Sequence, residues 1–224
     1  MKIVTIFEDN HLMVVIKPQG VPVQKDSSGD PDLQTAVMDF LKSKYNKPGN
    51  VFLGIVHRLD RPVGGAVVFA KTSKAASRLS EQIRNNVWKK QYVAIVDGVP
   101  YPDSGTLEDH LIKDSGTNMV SIVDSTVKGA KKAVLKYSVV DKNDQKAMLS
   151  IDLLTGRSHQ IRVQLASRGW PIVNDHRYNS KTVAGGSIML WAHILEIKHP
   201  VSGNVMQFKA EVPEIFNNII HSGG

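Results

Sequence analysis

The sequence predicts an α+β protein with a largely antiparallel, mixed sheet flanked by helices. Two observations lead there. Candidate strands outnumber candidate helices and often follow one another directly, which argues against a doubly wound parallel sheet. The central segments Thr106–Ile112, Met119–Val123 and Ala133–Val140 also alternate as half-buried strands do.

The elements follow in order. Ile3–Phe7 and His11–Lys17 read as two short strands joined at the turn-forming Glu8-Asp9-Asn10, and Pro18-Gln19-Gly20 ends the second. Asp26–Pro31 is a polar loop. Leu33, Ala36, Val37, Phe40 and Leu41 recur at helical spacing, so Asp32 to about Tyr45 is a helix, followed by the Lys47–Asn50 loop. Val51–Val56 is an apolar run of strand length, His57–Gly65 a loop, and Ala66–Ala70 a buried strand. Thr72 or Ser73 can cap a helix running to about Asn86. Tyr92–Val96 is a strand before the Asp97-Gly98 turn. Met148–Leu154 is a strand, and His159–Arg168 a helix closed by Gly169. Ser187–Ile197 and Val205–Val212 form a late strand pair, and Glu214–Ile220 a terminal helix. Asp114–Gly116 and Asp124–Gly129 read as hairpin tips.

Length and composition bound the function. The 224 residues fit one domain or one domain in two lobes around a cleft, and 42% hydrophobic content with 22% charge excludes wholesale disorder. The absence of cysteine excludes disulfides, thiolate zinc sites, iron–sulfur clusters and thiol nucleophiles. No apolar stretch has the length of a spanning helix, and the N-terminus lacks the pattern of a signal peptide, so a cytoplasmic protein without a membrane partner is expected. The net charge of +7 favours an anionic partner such as nucleic acid, although a merely soluble basic enzyme fits it too.

Three segments can carry chemistry. His57-Arg58-Leu59-Asp60 follows an apolar run, where catalytic loops often sit; its residues could equally be a turn cap and a surface charge. In Thr155-Gly156-Arg157-Ser158-His159-Gln160-Ile161-Arg162 a strand gives way to a helix across a glycine. Ser158 could cap that helix and expose N–H groups to a phosphate, and the Arg162 fork could grip a carboxylate. An ordinary capped amphipathic helix explains the same residues. Tyr92, after Lys89-Lys90-Gln91, can pack in the core or offer its ring to a base. Phosphate-loop, dinucleotide, serine-elbow and zinc-helix motifs are absent. His57, Asp60, His159, Asp175 and His176 could converge on a metal, which keeps a metal hydrolase as an alternative.

Taken together, H-R-L-D, K-x-Y about thirty residues on, and L-x-T-G-R-x-H-Q-I-R-x-x-L-A resemble the RluA-type pseudouridine synthase family. Asp9–Val23 is similar to the family's opening strand pair with its K-P-x-G turn, Gly169–Tyr178 to its G-x-P-I-x-x-D-x-x-Y, and Trp191–Pro200 to its closing strands. Arg61-Pro62-Val63-Gly64-Gly65 departs from the usual x-x-T-S-G by losing both hydroxyls, and Trp191 stands where a histidine is usual. The resemblance implies the pseudouridine synthase catalytic fold over residues 1–224 without an S4 domain. It implies an isomerase acting on ribosomal or transfer RNA, with no cofactor and no metal; the oligomeric state is left open by the sequence, with a monomer expected. It assigns Asp60 as the catalytic carboxylate, Arg162 as its partner and Tyr92 as the platform for the uracil. Arg58, His57, Lys90, Arg157, His159 and Gln160 become substrate-binding residues. A non-catalytic RNA-binding module would use the same surface.

Overall fold

A computed structural model describes residues 1–46, 48–179 and 181–221, so Lys47 of the expected Lys47–Asn50 loop lies outside the described residues. The first strands and helices are β1 (Val4–Glu8), β2 (Leu12–Lys17), α1 (Leu33–Lys44), β3 (Gly54–Ile55), β4 (Gly64–Ala70) and α2 (Ser73–Arg84). They are followed by β5 (Lys89–Asp97), β6 (Ser104–Lys113), β7 (Val120–Val123), β8 (Lys131–Lys142) and β9 (Lys146–Leu153). The chain closes with α3 (Gln160–Ala166), β10 (Leu190–Lys198), β11 (Val205–Lys209) and α4 (Ile215–His221). Two compact units result: residues 1–89 with 192–211, and residues 90–191 with 212–224. Among the described residues no helix is long and apolar enough to cross a membrane.

In the first unit β2 pairs antiparallel with β1 on one side and β4 on the other, β4 lies beside β10, and β10 pairs antiparallel with β11. β4 is buried along its whole length, as its unbroken run of small and apolar residues requires. The β1–β2 turn is fixed by the Asp9 carboxylate, which accepts from the backbone N–H groups of His11 and Leu12, both at 2.7 Å. Asp32 caps α1 by accepting from the Thr35 N–H, and Thr72 caps α2 through the Ala75 N–H. Gly65 has φ +124°, and a Cβ there would stand 2.3 Å from the Ala192 carbonyl, so only glycine lets these backbones approach so closely.

The expected strand over Val51–Val56 shrinks to Gly54–Ile55, which pairs with the end of β4. Val51 and Leu53 are buried all the same. The run is apolar because its side chains pack inward, and packing does not require ladder hydrogen bonds.

In the second unit the strand order is β5-β9-β8-β6-β7, with antiparallel neighbours throughout. β7 and β8 both pair with β6, from opposite sides. The Asp124–Gly129 stretch is therefore a connection across β6 rather than a hairpin tip. Val163 of α3 packs with Leu111, Val120 and Ala133 of the sheet. Beside β5, the Val173 N–H donates to the Ile95 carbonyl and the Ile95 N–H to the Met189 carbonyl. These bonds fix the segments that flank the strand.

Candidate active site

The Asp60 loop is built from the first unit. Leu59 is buried and anchors it, Asp60 is half-buried, and Arg58 is exposed. The Val63 N–H donates to the Asp60 carbonyl at 3.0 Å, closing a tight turn. Below it lies Lys17, a fully buried lysine at the end of β2. Its ammonium donates to the carbonyls of Pro18 and Arg61, each at 2.9 Å, and so ties the K-P-x-G turn to the residue after Asp60. Burial pushes the Lys17 pKa down to about 7, opposed by the attraction of Asp60 and helped by Arg61. The Arg61 side chain reaches the other way. Its Nε donates to the Gly20 carbonyl, and its guanidinium pairs with Asp26 and Asp30 of the polar loop.

His57, expected at the substrate, is tied to the scaffold. Its Nε2 accepts the Val68 N–H of β4 at 3.0 Å, and its ring meets Trp88 edge-on with centroids 5.1 Å apart. The neutral ring therefore carries its proton on Nδ1, and His57 acts as a strut for the loop it begins.

Arg162 and Asp175 belong to the second unit. Arg162 is 5% exposed and Asp175 fully buried. Arg162 grips this carboxylate with two bonds, Nε to Oδ2 at 2.8 Å and Nη2 to Oδ1 at 2.6 Å. Asp175 also accepts the Arg177 and Tyr178 N–H groups, so one carboxylate shapes the turn and fixes the guanidinium. The Tyr178 ring lies 5.3 Å from the Arg162 guanidinium carbon, and its hydroxyl meets His159 Nδ1 at 2.9 Å. Burial raises the Tyr178 pKa above the ordinary value, against the lowering pull of its backbone bond to Val120 and of nearby arginines.

The start of α3 differs from expectation. Ser158 does not cap it. His159 stands at the cap position in the left-handed conformation, φ 49°, with no side-chain cap bond. Gln160 folds back instead: its oxygen accepts the Thr155 hydroxyl at 2.8 Å and the Arg157 N–H at 3.0 Å. Gln160 is 2% exposed and holds the loop from inside, and its Nε2 has no partner among the described residues. The Arg157 N–H is engaged by Gln160, so this helix start does not offer the phosphate cradle its sequence suggests.

Tyr92 is half-buried in β5 opposite Ile151 of β9. Lys90 is half-buried and Arg157 exposed, with the Arg157 Nε donating to the Lys132 carbonyl at 2.9 Å.

Among the described residues no three acidic or histidine side chains are placed to hold a metal ion. Of the five considered for that role, Asp175 is committed to Arg162, His159 meets Tyr178, and His176 Nε2 faces the Gly186 carbonyl. The residues that motif reading missed are Lys17, Asp175 and Tyr178 as supports. A signal existed for each: a lysine ending an apolar strand just before a proline, and an aspartate and tyrosine three residues apart in one motif.

The architecture is that of pseudouridylate synthase domains. The solved structure of human RNA pseudouridylate synthase domain containing 4 matches with a TM-score of 0.82 at 23% identity, covering 97% of this chain and 92% of that one. Human RNA pseudouridylate synthase domain containing 1 matches with a TM-score of 0.77 at 22% identity, over 99% and 87% of the two chains. The sequence then gives the family: residues 11–167 match the family model described as RNA pseudouridylate synthase, and the chain belongs to that family of isomerases. The dual-specificity RNA pseudouridine synthase RluA of Escherichia coli O157:H7 is 36% identical over 214 residues, 93% of this chain and 92% of that protein. The ribosomal large subunit pseudouridine synthase C of Buchnera aphidicola is 30% identical over 226 residues, 97% and 69% of the two.

Proposed function

We propose that this protein converts particular uridines of ribosomal or transfer RNA to pseudouridine, acting in the cytoplasm as a monomer. Family membership across residues 11–167, with Asp60 in an intact H-R-L-D, carries the reading. The reaction breaks the bond from uracil N1 to the sugar and joins C5 to the same carbon. A proton leaves C5 and N1 takes one up, so atoms balance and no cofactor is required. The base must leave its stack to be reached. Asp60 is the catalytic carboxylate in this proposal. Tyr92 receives the flipped uracil on its ring, Arg162 is assigned by the family pattern as the partner of the catalytic carboxylate, and the exposed Arg58 contacts the RNA.

The test is to map pseudouridines in total RNA with and without the gene, then to restore the gene as wild type or as Asp60→Asn. Wild type should restore one or a few sites. Asp60→Asn keeps the shape and loses the charge, so it should restore none while still binding the RNA. Sites that never depend on the gene, or an active Asp60→Asn protein, would overturn the reading.

A further inference from the structure

We infer that Lys90 and Arg157 form a phosphate site for the nucleotide whose base rests on Tyr92, an inference that builds on the RNA substrate proposed above. Lys90 and Tyr92 are two positions apart in β5, so their side chains leave the same face of the strand, about 7 Å apart at the backbone. That separation is of the order of the distance from a base to its own phosphate.

The Lys90 ammonium has no hydrogen bond or ion pair among the described residues, although the side chain is half-buried. The charged neighbour that acts on it is another cation. Burial, and after it Arg157, hold the Lys90 pKa below the ordinary lysine value. Asp152, the acid that β9 places opposite this end of β5, pairs with Gln91 and so belongs to the other face. The site is also shaped for access. A Cβ on Gly156 would stand 3.2 Å from the Lys90 Nζ, so glycine leaves room around the ammonium. The bond from Arg157 Nε to the Lys132 carbonyl fixes one edge of the guanidinium, and the side chain is exposed.

A half-buried ammonium without an acceptor, against the Gly156 backbone next to Arg157 and repelled by that arginine, destabilises the protein that holds it. An anion with several acceptor oxygens reverses this. A phosphate can accept from the ammonium and take two bonds from the guanidinium fork. An acidic peptide would also neutralise the pair, but the tyrosine ring on the same strand face favours a nucleotide, which brings a base and a phosphate together.

The experiment compares thermal unfolding in phosphate and in chloride at equal ionic strength, beside RNA binding against salt. Wild type should melt higher in phosphate. Lys90→Met should melt higher than wild type in chloride and ignore phosphate, while Lys90→Arg should keep the phosphate response. RNA affinity of Lys90→Met should fall about tenfold at low salt, and its slope of log K against log salt should flatten by about 0.7, as for one phosphate on a single strand. Lys90→Gln serves as the second variant if the methionine form does not fold. A phosphate response that survives in both neutral variants, or an unchanged salt slope, overturns the site. A Lys90-dependent response in a wild-type protein that makes no pseudouridine would keep the site and remove the enzymatic reading. Pseudouridine formation with a Lys90-independent response would do the opposite.

Discussion

Lys17 and Lys90 are two lysines withdrawn from water in different units of the protein, and burial lowers the pKa of both. Their surroundings differ. Lys17 ends β2 with two carbonyls in front of its ammonium and the Asp60 carboxylate close enough to attract it. Lys90 sits early in β5 against Gly156 and is repelled by the charge of Arg157, with no acceptor among the described residues. A buried charge supplied with acceptors by its own chain is a strut, and removing it orphans those acceptors. A buried charge supplied only with a like charge is a cost that folding alone does not explain, and such costs concentrate at ligand sites. Arg162 stands with Lys17 here, because Asp175 accepts two bonds from one edge of its guanidinium.

Substitutions separate the self-satisfied cations from Lys90, beginning with the largest effect. Asp175→Ala takes from Arg162 the carboxylate that both bonds need and should cost on the order of 3–5 kcal/mol, measured by urea unfolding. A loss below about 1 kcal/mol would mean that the pair is not a strut.

Lys17→Met should cost less, about 1–3 kcal/mol at pH 6, because it orphans two carbonyls while relieving the burial of a charge. It should also slow the reaction by loosening the turn that carries Asp60. The sign with pH separates this lysine from an ordinary one. The folded protein gives up the Lys17 proton near pH 7, and the unfolded chain holds it until about 10.4. Between those values the unfolded state binds more protons, so wild type should gain up to about 1.4 kcal/mol per pH unit relative to Lys17→Met, with no further gain above that window. Parallel stability curves for the two proteins across that range would show that Lys17 is not desolvated. For Lys90→Met the change at neutral pH should have the opposite sign, a gain.

The smallest expected effect belongs to Gly156→Ala. Its methyl would crowd the Lys90 ammonium at 3.2 Å, but the ammonium is the end of a flexible chain and can shift. A few-fold loss of RNA affinity with unchanged melting in chloride is expected from equilibrium binding and thermal unfolding. A change in melting without a change in affinity would place the glycine in the scaffold.

Much of this was legible in the sequence, for reasons that differ by element. The two capped helices were bounded nearly to the residue because Asp32 and Thr72 are local signals that act over three residues. β8 is legible because one buried face imposes alternation on it, and β5 because its buried end is a continuous apolar run. Val51–Val56 misled because apolar content reports burial and not pairing. Ser158 misled because Gln160, two residues on, supplies the oxygen that engages the Arg157 N–H.

The sequence by itself determined the family, the α+β class, the order of the elements and the residues to which chemistry is assigned. The elements rest on local periodicity and caps, and the family on short motifs taken in their order along the chain. Only the tertiary structure decided which charges are satisfied. Arg162 meets Asp175 thirteen residues away, and the Lys17 ammonium meets a carbonyl forty-four residues away. Lys90 in β5 meets Gly156 and the charge of Arg157, both from the loop before α3. Whether a buried cation is a support or an open site depends on which acceptors the folded backbone brings within about 3 Å, and no spacing along the chain encodes that distance.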